Sequence, residues 1–339
     1  MAAMKKSIRY GKSRRWVVSA ALTAVATVGV GATHLASAAM APAQVATAPA
    51  QVATKNSLVR TAAATTKHAI VHASTKSTIV HASPSRAVLG GVTYVSQTWN
   101  NCGPASTSEV LAYWGIERTQ DQAAAYLRAD GGQGMQPYGW PSYARSLGLH
   151  ALLGVNGTER LVKALIANGF PIIANQVVST TDPTRHYRPI VGYDDANKTF
   201  TVMDPYMGPN YSISYADFNK IWAPLHGRFT VLYPPAKASL LKAVLRSAGW
   251  DRLATVKVDL ARVKKRIAHP PKTGTLGMQD GSGSSARSGR SMYLYLAWDD
   301  AQLGLNVAAK AALTKAVGQN ASPVLVAWVR GELGVAQDV

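Results

Sequence analysis

Gln97-Thr98-Trp99-Asn100-Asn101-Cys102-Gly103-Pro104-Ala105-Ser106 holds the only cysteine of a 339-residue chain. One cysteine forms no internal disulfide and makes a poor start for a zinc or iron–sulfur site. Read alone, it is either a small buried apolar residue or a nucleophile. The residues after it favour the nucleophile. Gly103-Pro104, followed by Val110, Leu111 and Trp114 at helical spacing, predicts a helix over 104–114 with proline at its first position. Cys102 is then expected at a helix N-terminus, where unpaired N–H groups and the positive dipole end stabilise a thiolate. Gln97 lies five residues earlier. Its amide N–H could meet the oxygen that turns negative when a thiolate attacks a carbonyl.

A thiolate needs a base, and the base needs an orienting group. Of eight histidines, His34, His68, His72 and His81 fall in an export-type segment or in repeats, and His269 precedes two prolines. His150, His186 and His226 remain. His150 is expected to point outward from a strand and His226 to occupy a turn, neither with a carboxylate close in sequence. His186 opens the strand-like run His186-Tyr187-Arg188-Pro189-Ile190-Val191-Gly192-Tyr193-Asp194. A turn at Asp195-Ala196-Asn197-Lys198 leads to Thr199-Phe200-Thr201-Val202-Met203 and then Asp204-Pro205. Two strands joined by a short turn predict an antiparallel hairpin whose far ends set His186 beside Asp204. Asp194 and Asp195 fall at the turn end and read as solvated residues.

Gln97-x4-Cys102-Gly103-Pro104-Ala105, His186 opening the Gly192-Tyr193-Asp194 strand, and Val202-x-Asp204-Pro205 together resemble cysteine peptidase family 39. That family comprises bacteriocin-processing, double-glycine leader peptidases and their free-standing relatives. The resemblance covers about 91–235. It implies an α+β, papain-like fold with an antiparallel sheet and a cysteine-type peptidase activity. It assigns Cys102 as nucleophile, His186 as general base, Asp204 as orienting carboxylate and Gln97 as oxyanion donor. Transporter-linked members carry a membrane domain and an ATPase after the peptidase. This sequence has no second long apolar span and no Gly-x-x-x-x-Gly-Lys-Ser/Thr loop, so leader specificity does not carry over. An amidase or transpeptidase would use the same triad. A non-catalytic surface module that binds peptide or wall material on a peptidase-like fold is the alternative from another class.

Residues 1–38 read as a tripartite export signal: Lys5, Lys6, Arg9, Lys12, Arg14 and Arg15, an apolar run from Trp16 to about Ala32, and Ala36-Ser37-Ala38 as cleavage site. An exported, extracellular or envelope location follows, with an uncleaved anchor as the other reading. Residues 39–90 are low-complexity, because Ala41-Pro42-Ala43-Gln44-Val45-Ala46-Thr47 recurs at 48–54 and the 66–74 segment nearly recurs at 75–83. They predict a linker or pro-segment, dispensable to a domain over 91–235. Within that domain helices are expected near 104–114, 119–128, 137–147 and 158–168. Strands are expected near 149–153, 170–177, 186–193, 199–204 and 228–233. Tyr94, Trp99, Tyr138, Trp140 and Tyr187 are expected either to line a cleft or to fill core. Residues 236–339 predict a basic, mainly helical region: an amphipathic helix over 236–268, a Pro/Gly/Ser-rich break over 269–290, and helix again over 291–334.

Charge divides in the same way. Residues 1–90 hold 11 Lys/Arg and no acid, residues 91–235 hold 10 of each sign, and the remainder holds 15 basic against 7 acidic residues. A neutral central domain with basic flanks suits a peptide or protein substrate and an anionic wall polymer or lipid surface. No nucleic-acid recognition motif is present. No cofactor or metal is expected, since the histidine pair His68/His72 is better explained by repeat drift.

Overall fold

A computed structural model of the protein describes residues 80–130, 134–269 and 291–334. The export-type segment, the repeats through residue 79, with His34, His68 and His72, and the 270–290 break lie outside the described residues. The fold is α+β around one antiparallel sheet. Its strands are β1 (Arg86–Val88), β2 (His150–Gly154), β3 (Ile172–Val177), β4 (Arg185–Asp194), β5 (Thr199–Asp204), β6 (Gly208–Ser214) and β7 (Phe229–Tyr233). They lie in the order β2-β7-β3-β4-β5-β6, with β1 pairing β4.

Both faces of this sheet are covered, which explains why its central strands read as near-continuous apolar runs. Along β3 the side chains alternate. Ile172 and Ala174 join Leu152, Ile190, Val202 and Val231 under α4 (Glu159–Ala167), α5 (Tyr215–Trp222) and α6 (Ala238–Ser247). Ile173 turns to the other face, with Leu232, Val110, Leu127 and Tyr143. These last three come from α1 (Cys102–Tyr113), α2 (Gln120–Leu127) and α3 (Trp140–Ser146). Burial of each such side chain stabilises the fold by about 1.5–3 kcal/mol. Gly192 permits β1 to approach, because a Cβ there would lie 3.0 Å from the Ala87 carbonyl oxygen.

Several elements differ from the expectations. Helix α1 begins at Cys102, two residues early, so Pro104 sits inside the first turn, where a missing N–H still loses no helical bond. Strand β6 and helix α5 were not anticipated. Residues 208–214 form an exposed edge strand with Asn210 at φ 52°, so no alternation marks them. The single helix expected over 236–268 is two. Gly249 at φ 75° ends α6, and Asp251 accepts from the Ala254 N–H to start α7 (Arg252–Ala268). Beyond the break, α8 (Met292–Gln302), α9 (Asn306–Gly318) and α10 (Pro323–Gly331) share a core with Tyr138 and with Val263 of α7.

The linker expected over 39–90 overlaps the domain, because residues 80–89 lie on it. β1 pairs Arg86–Val88 with Asp194–Gly192, and Leu89 donates to the Val191 carbonyl at 2.7 Å. His81 and Asn168 exchange two hydrogen bonds of 2.8 and 3.0 Å, and the Tyr193 hydroxyl donates to the Pro84 carbonyl at 2.7 Å. Val80, Ala87 and Leu89 pack against the core. The repeat character that extends to residue 83 masks this, since composition carries no register. A chain beginning at residue 91 should therefore be less stable than one beginning at residue 80. The expected loss is a few kcal/mol, at roughly 1 kcal/mol per hydrogen bond. Equal urea midpoints for the two chains would show that these contacts contribute nothing.

Candidate active site

The hairpin expected from sequence forms, with a bulge near Val191. Pairing of β4 with β5 runs from Asp194↔Thr199 to Ile190↔Val202 and stops there. Beyond it the strands part, and the N-terminus of α1 enters the gap. Tyr187 then has no β5 partner for its backbone. Its carbonyl accepts instead from Ser106 Oγ at 3.1 Å, and its N–H donates to the Cys102 sulfur. The free strand edge thus docks the helix and fixes the cysteine beside residue 186. Carrying the Ile190↔Val202 register two residues further sets Arg188 opposite Asp204, with His186 diagonal to it.

Three of the four expected site residues meet. His186 and Asp204 are 3% and 0% exposed, with His186 Nε2 2.7 Å from Asp204 Oδ1. The ring's other nitrogen, Nδ1, is left for the Cys102 thiol, with which His186 also hydrogen-bonds. Asp204 Oδ1 further accepts from the Tyr206 and Met207 N–H groups at 2.9 and 3.1 Å. Its Oδ2 lies 3.2 Å from Arg188 Nε, an ion pair without hydrogen-bond alignment.

The electrostatics favour a thiolate–imidazolium pair. Burial acts to raise the Cys102 thiol. The hydrogen bond and charge of His186, with the N–H groups of Tyr187 and Gly103, outweigh it and hold the thiol below its ordinary value. Burial acts to lower His186, and its bonds to Asp204 and Cys102 outweigh that, so the imidazole is raised. For Asp204, burial is outweighed by His186 and Arg188, which pull the carboxyl down to about 2.

Gln97 is tethered to the same place by its backbone, whose N–H donates to the Pro205 carbonyl at 3.0 Å. Its side-chain Oε1 is buried without a hydrogen-bond partner among the described residues. The loop from Gln97 to Cys102 is braced from α2: Gln120 Oε1 accepts from the Thr98 N–H at 2.8 Å, and Arg128 donates to Asn101 Oδ1 at 2.6 Å. Trp99, three residues before the cysteine, is 85% exposed; Tyr206 and Met207, which follow Asp204, are exposed as well, and the Tyr206 ring meets the His186 ring edge-on at 6.3 Å. Of the other aromatics, Tyr94 is half-buried, while Tyr138, Trp140 and Tyr187 are core, the last two ring to ring at 5.2 Å.

Two buried charged residues at the site escaped the sequence reading. Arg188 is 1% exposed. Its signal was an arginine two residues from the histidine, on the same side of an otherwise apolar strand. Glu109 is fully buried in α1, and its Oε1 accepts from the Val95 N–H at 2.8 Å, which anchors the segment leading to Gln97. Burial above all, and also the charge of Asp204, push this carboxyl up to about 9, against the Val95 bond. Its folded value exceeds its unfolded one, so the folded state keeps a proton that the unfolded chain releases. Stability from this group therefore falls as pH rises from about 4.5 towards 9. Glu109→Gln keeps the acceptor and removes the titration. The variant should gain on the wild type by up to about 1.4 kcal/mol per pH unit across that window. Urea midpoints at pH 5 and pH 8 check this; a constant difference between the two proteins would mean that Glu109 is ionised when folded.

Of the remaining histidines, His150 opens β2 and meets the Tyr233 ring edge-on at 5.7 Å. His226 is a turn residue at φ 56°, as expected, but a carboxylate does reach it: Asp259 of α7, at 2.9 Å from Nδ1. The distance in sequence hid that pair. Among the described residues, no group of three or more His, Cys, Asp or Glu is gathered as metal ligands. No helix among them is long and apolar enough to cross a membrane.

Comparison with known proteins bears on this geometry. Residues 90–229 match the model of the Peptidase_C39 like family. Among solved structures, a protein from Bacillus anthracis described as C39-like peptidase is 15% identical, covering 43% of this chain and 96% of its own, at a TM-score of 0.36. The peptidase domain of Streptococcus ComA, a bi-functional ABC transporter involved in a quorum-sensing pathway, is 23% identical, covering 42% of this chain and 98% of its own, at a TM-score of 0.34. No curated protein gives a significant match. Residues 90–229 of the chain are thus similar to C39-like peptidases, the family that its cysteine, histidine and aspartate motifs resemble.

Proposed function

We propose that the chain is an exported cysteine peptidase. The observation that carries the reading is the buried relay from Asp204 through His186 to Cys102. In the proposed cycle His186 Nδ1 holds the thiol proton and the Cys102 thiolate attacks the scissile carbonyl carbon. The developing oxyanion is met by the Gln97 amide and by N–H groups of the first turn of α1. The imidazolium then gives its proton to the leaving amine, and water, deprotonated by the same ring, hydrolyses the thioester. Asp204 orients the ring and stabilises its charged form. Trp99, Tyr206 and Met207 suit an apolar substrate side chain next to the scissile bond. Export rests on residues 1–38, and the basic flanks suit an anionic wall or lipid surface.

A thiol-directed peptidyl probe tests the reading. Wild type should be labelled at Cys102, His186→Ala at a rate lower by at least about a hundredfold, and Cys102→Ala not at all. Labelling of His186→Ala at the wild-type rate would leave a merely accessible thiol and favour a non-catalytic binding module.

A further inference from the structure

Four arginines from three elements line one narrow pocket away from the cysteine: Arg185 of β4, Arg228 beside β7, and Arg262 and Arg266 of α7. Tyr295 of α8 forms its wall. Its hydroxyl accepts from Arg185 at 3.2 Å, and its ring lies 4.9 Å under the Arg228 guanidinium. The pocket therefore exists only because the C-terminal helices fold against the sheet. Among the described residues, one carboxylate pairs with the arginines of this pocket. Asp259, held below its ordinary value chiefly by Arg228 against burial, pairs with both Arg228 and His226. Asp299 is pushed well up by burial and by the Asp259 charge. Among the described residues, Arg185, Arg228 and Arg262 thus gather around the single Asp259 carboxylate, with Arg266 closing the pocket beside them. Arg262 is exposed and Arg185 half-buried, so the pocket is open to solvent.

We propose that this pocket is a binding site for a phosphate group. Like-charged guanidiniums drawn together in a part-buried place repel one another, and an oxyanion of charge about −2 relieves that repulsion. Their planar forks match phosphate oxygens two at a time. A monocarboxylate would leave most of the excess charge unmet. The site is separate from the proposed catalytic one and does not depend on it. It gives the C-terminal region a role: supplying two of the arginines and the aromatic wall. The phosphate could come as the free ion or as part of a phosphodiester polymer.

The test uses the full chain, as wild type and as Cys102→Ala, at fixed ionic strength, titrated with inorganic phosphate and separately with poly(glycerol phosphate). Thermal shift and calorimetry are the readouts. Saturable binding is expected in both proteins, weakened roughly tenfold by Arg262→Gln and further by adding Arg185→Gln. Lys265→Gln removes the same charge from an exposed position on α7 outside the pocket, and should bind as wild type does. Because Arg262 is exposed, its variant folds even if the Arg185 variant does not. Tighter binding of the polymer through the same arginines would identify the polymer as source, and binding of inorganic phosphate alone would identify the free ion. The proposal is overturned if neither ligand saturates, or if Lys265→Gln weakens binding as much as Arg262→Gln does. Loss of peptidase activity in Cys102→Ala with binding intact keeps the two readings distinct.

Discussion

Cys102→Ser should lower kcat/KM for peptide hydrolysis by about a thousandfold or more. The physical reason is the state of the resting pair. The His186 hydrogen bond and charge, and the N–H groups of Tyr187 and Gly103, favour the thiolate, while Asp204 favours the imidazolium. A serine hydroxyl does not ionise under the same influences and must be deprotonated in the attack itself. The pH profile carries the sharper signature. In the wild type the competent form is lost on the acid side when the thiolate is protonated, and on the alkaline side when the imidazolium loses its proton. With the thiol lowered and the imidazole raised, the plateau between the limbs widens; both limbs belong to the pair rather than to either residue. In the serine variant, neutral His186 is the competent form, so residual activity should rise with pH through the imidazole range. Wild-type activity that climbs only where a free thiol ionises would show that the ion pair does not form.

The catalytic core was legible because its information is local. Cys102 precedes an evident helix, and His186 and Asp204 flank one short hairpin whose turn is marked by Asp195-Ala196-Asn197-Lys198. Position along the chain then nearly equals position in space. Arg188 was legible in principle, since strand parity places it with His186, on the face that meets Asp204. Glu109 was not legible, because its partner is the backbone of Val95, in a segment without periodicity. His226 and Asp259 are brought together by packing of α7 on the β7 end, a long-range contact that no spacing encodes. The edge strand β6 failed for the opposite reason: an exposed edge carries too little apolar pattern to announce itself, whereas α5 was legible in principle, since Tyr215, Phe218, Ile221 and Trp222 recur at helical spacing. The α10 end shows the same limit, for Arg145 of α3 pairs with Glu332 at 2.5 Å across nearly two hundred residues.

Asp204→Asn should cost both turnover and stability, and Arg188 allows the two losses to be separated. Asparagine preserves the shape of the side chain. It cannot hold the imidazolium by charge, and its amide can present N–H to the ring, so turnover should fall by about a thousandfold or more. The stability loss has another origin. Arg188 is 1% exposed, and among the described residues Asp204 is the carboxylate paired with it. Guanidinium hydrogen bonds to the Val178 and Val177 carbonyls, at 2.9 and 3.5 Å, remain. Removing the carboxylate leaves a buried cation uncompensated, which typically costs about 3–5 kcal/mol. Stability at low pH should show the same dependence in the wild type. The Asp204 carboxyl is held down to about 2, below its unfolded value, so its contribution is present above about pH 4 and is lost as pH falls towards 2. Arg188→Met removes the stranded charge while keeping an unbranched apolar stem of similar reach. The double variant Asp204→Asn/Arg188→Met should therefore regain most of the lost stability and none of the turnover. Denaturant midpoints and kcat for the four members of this cycle decide the matter. Recovery of turnover together with stability would mean that Asp204 serves the fold alone, with His186 oriented by other contacts. Recovery of neither would mean that Arg188 contributes through the Val178 carbonyl, holding the β3–β4 end closed independently of the carboxylate.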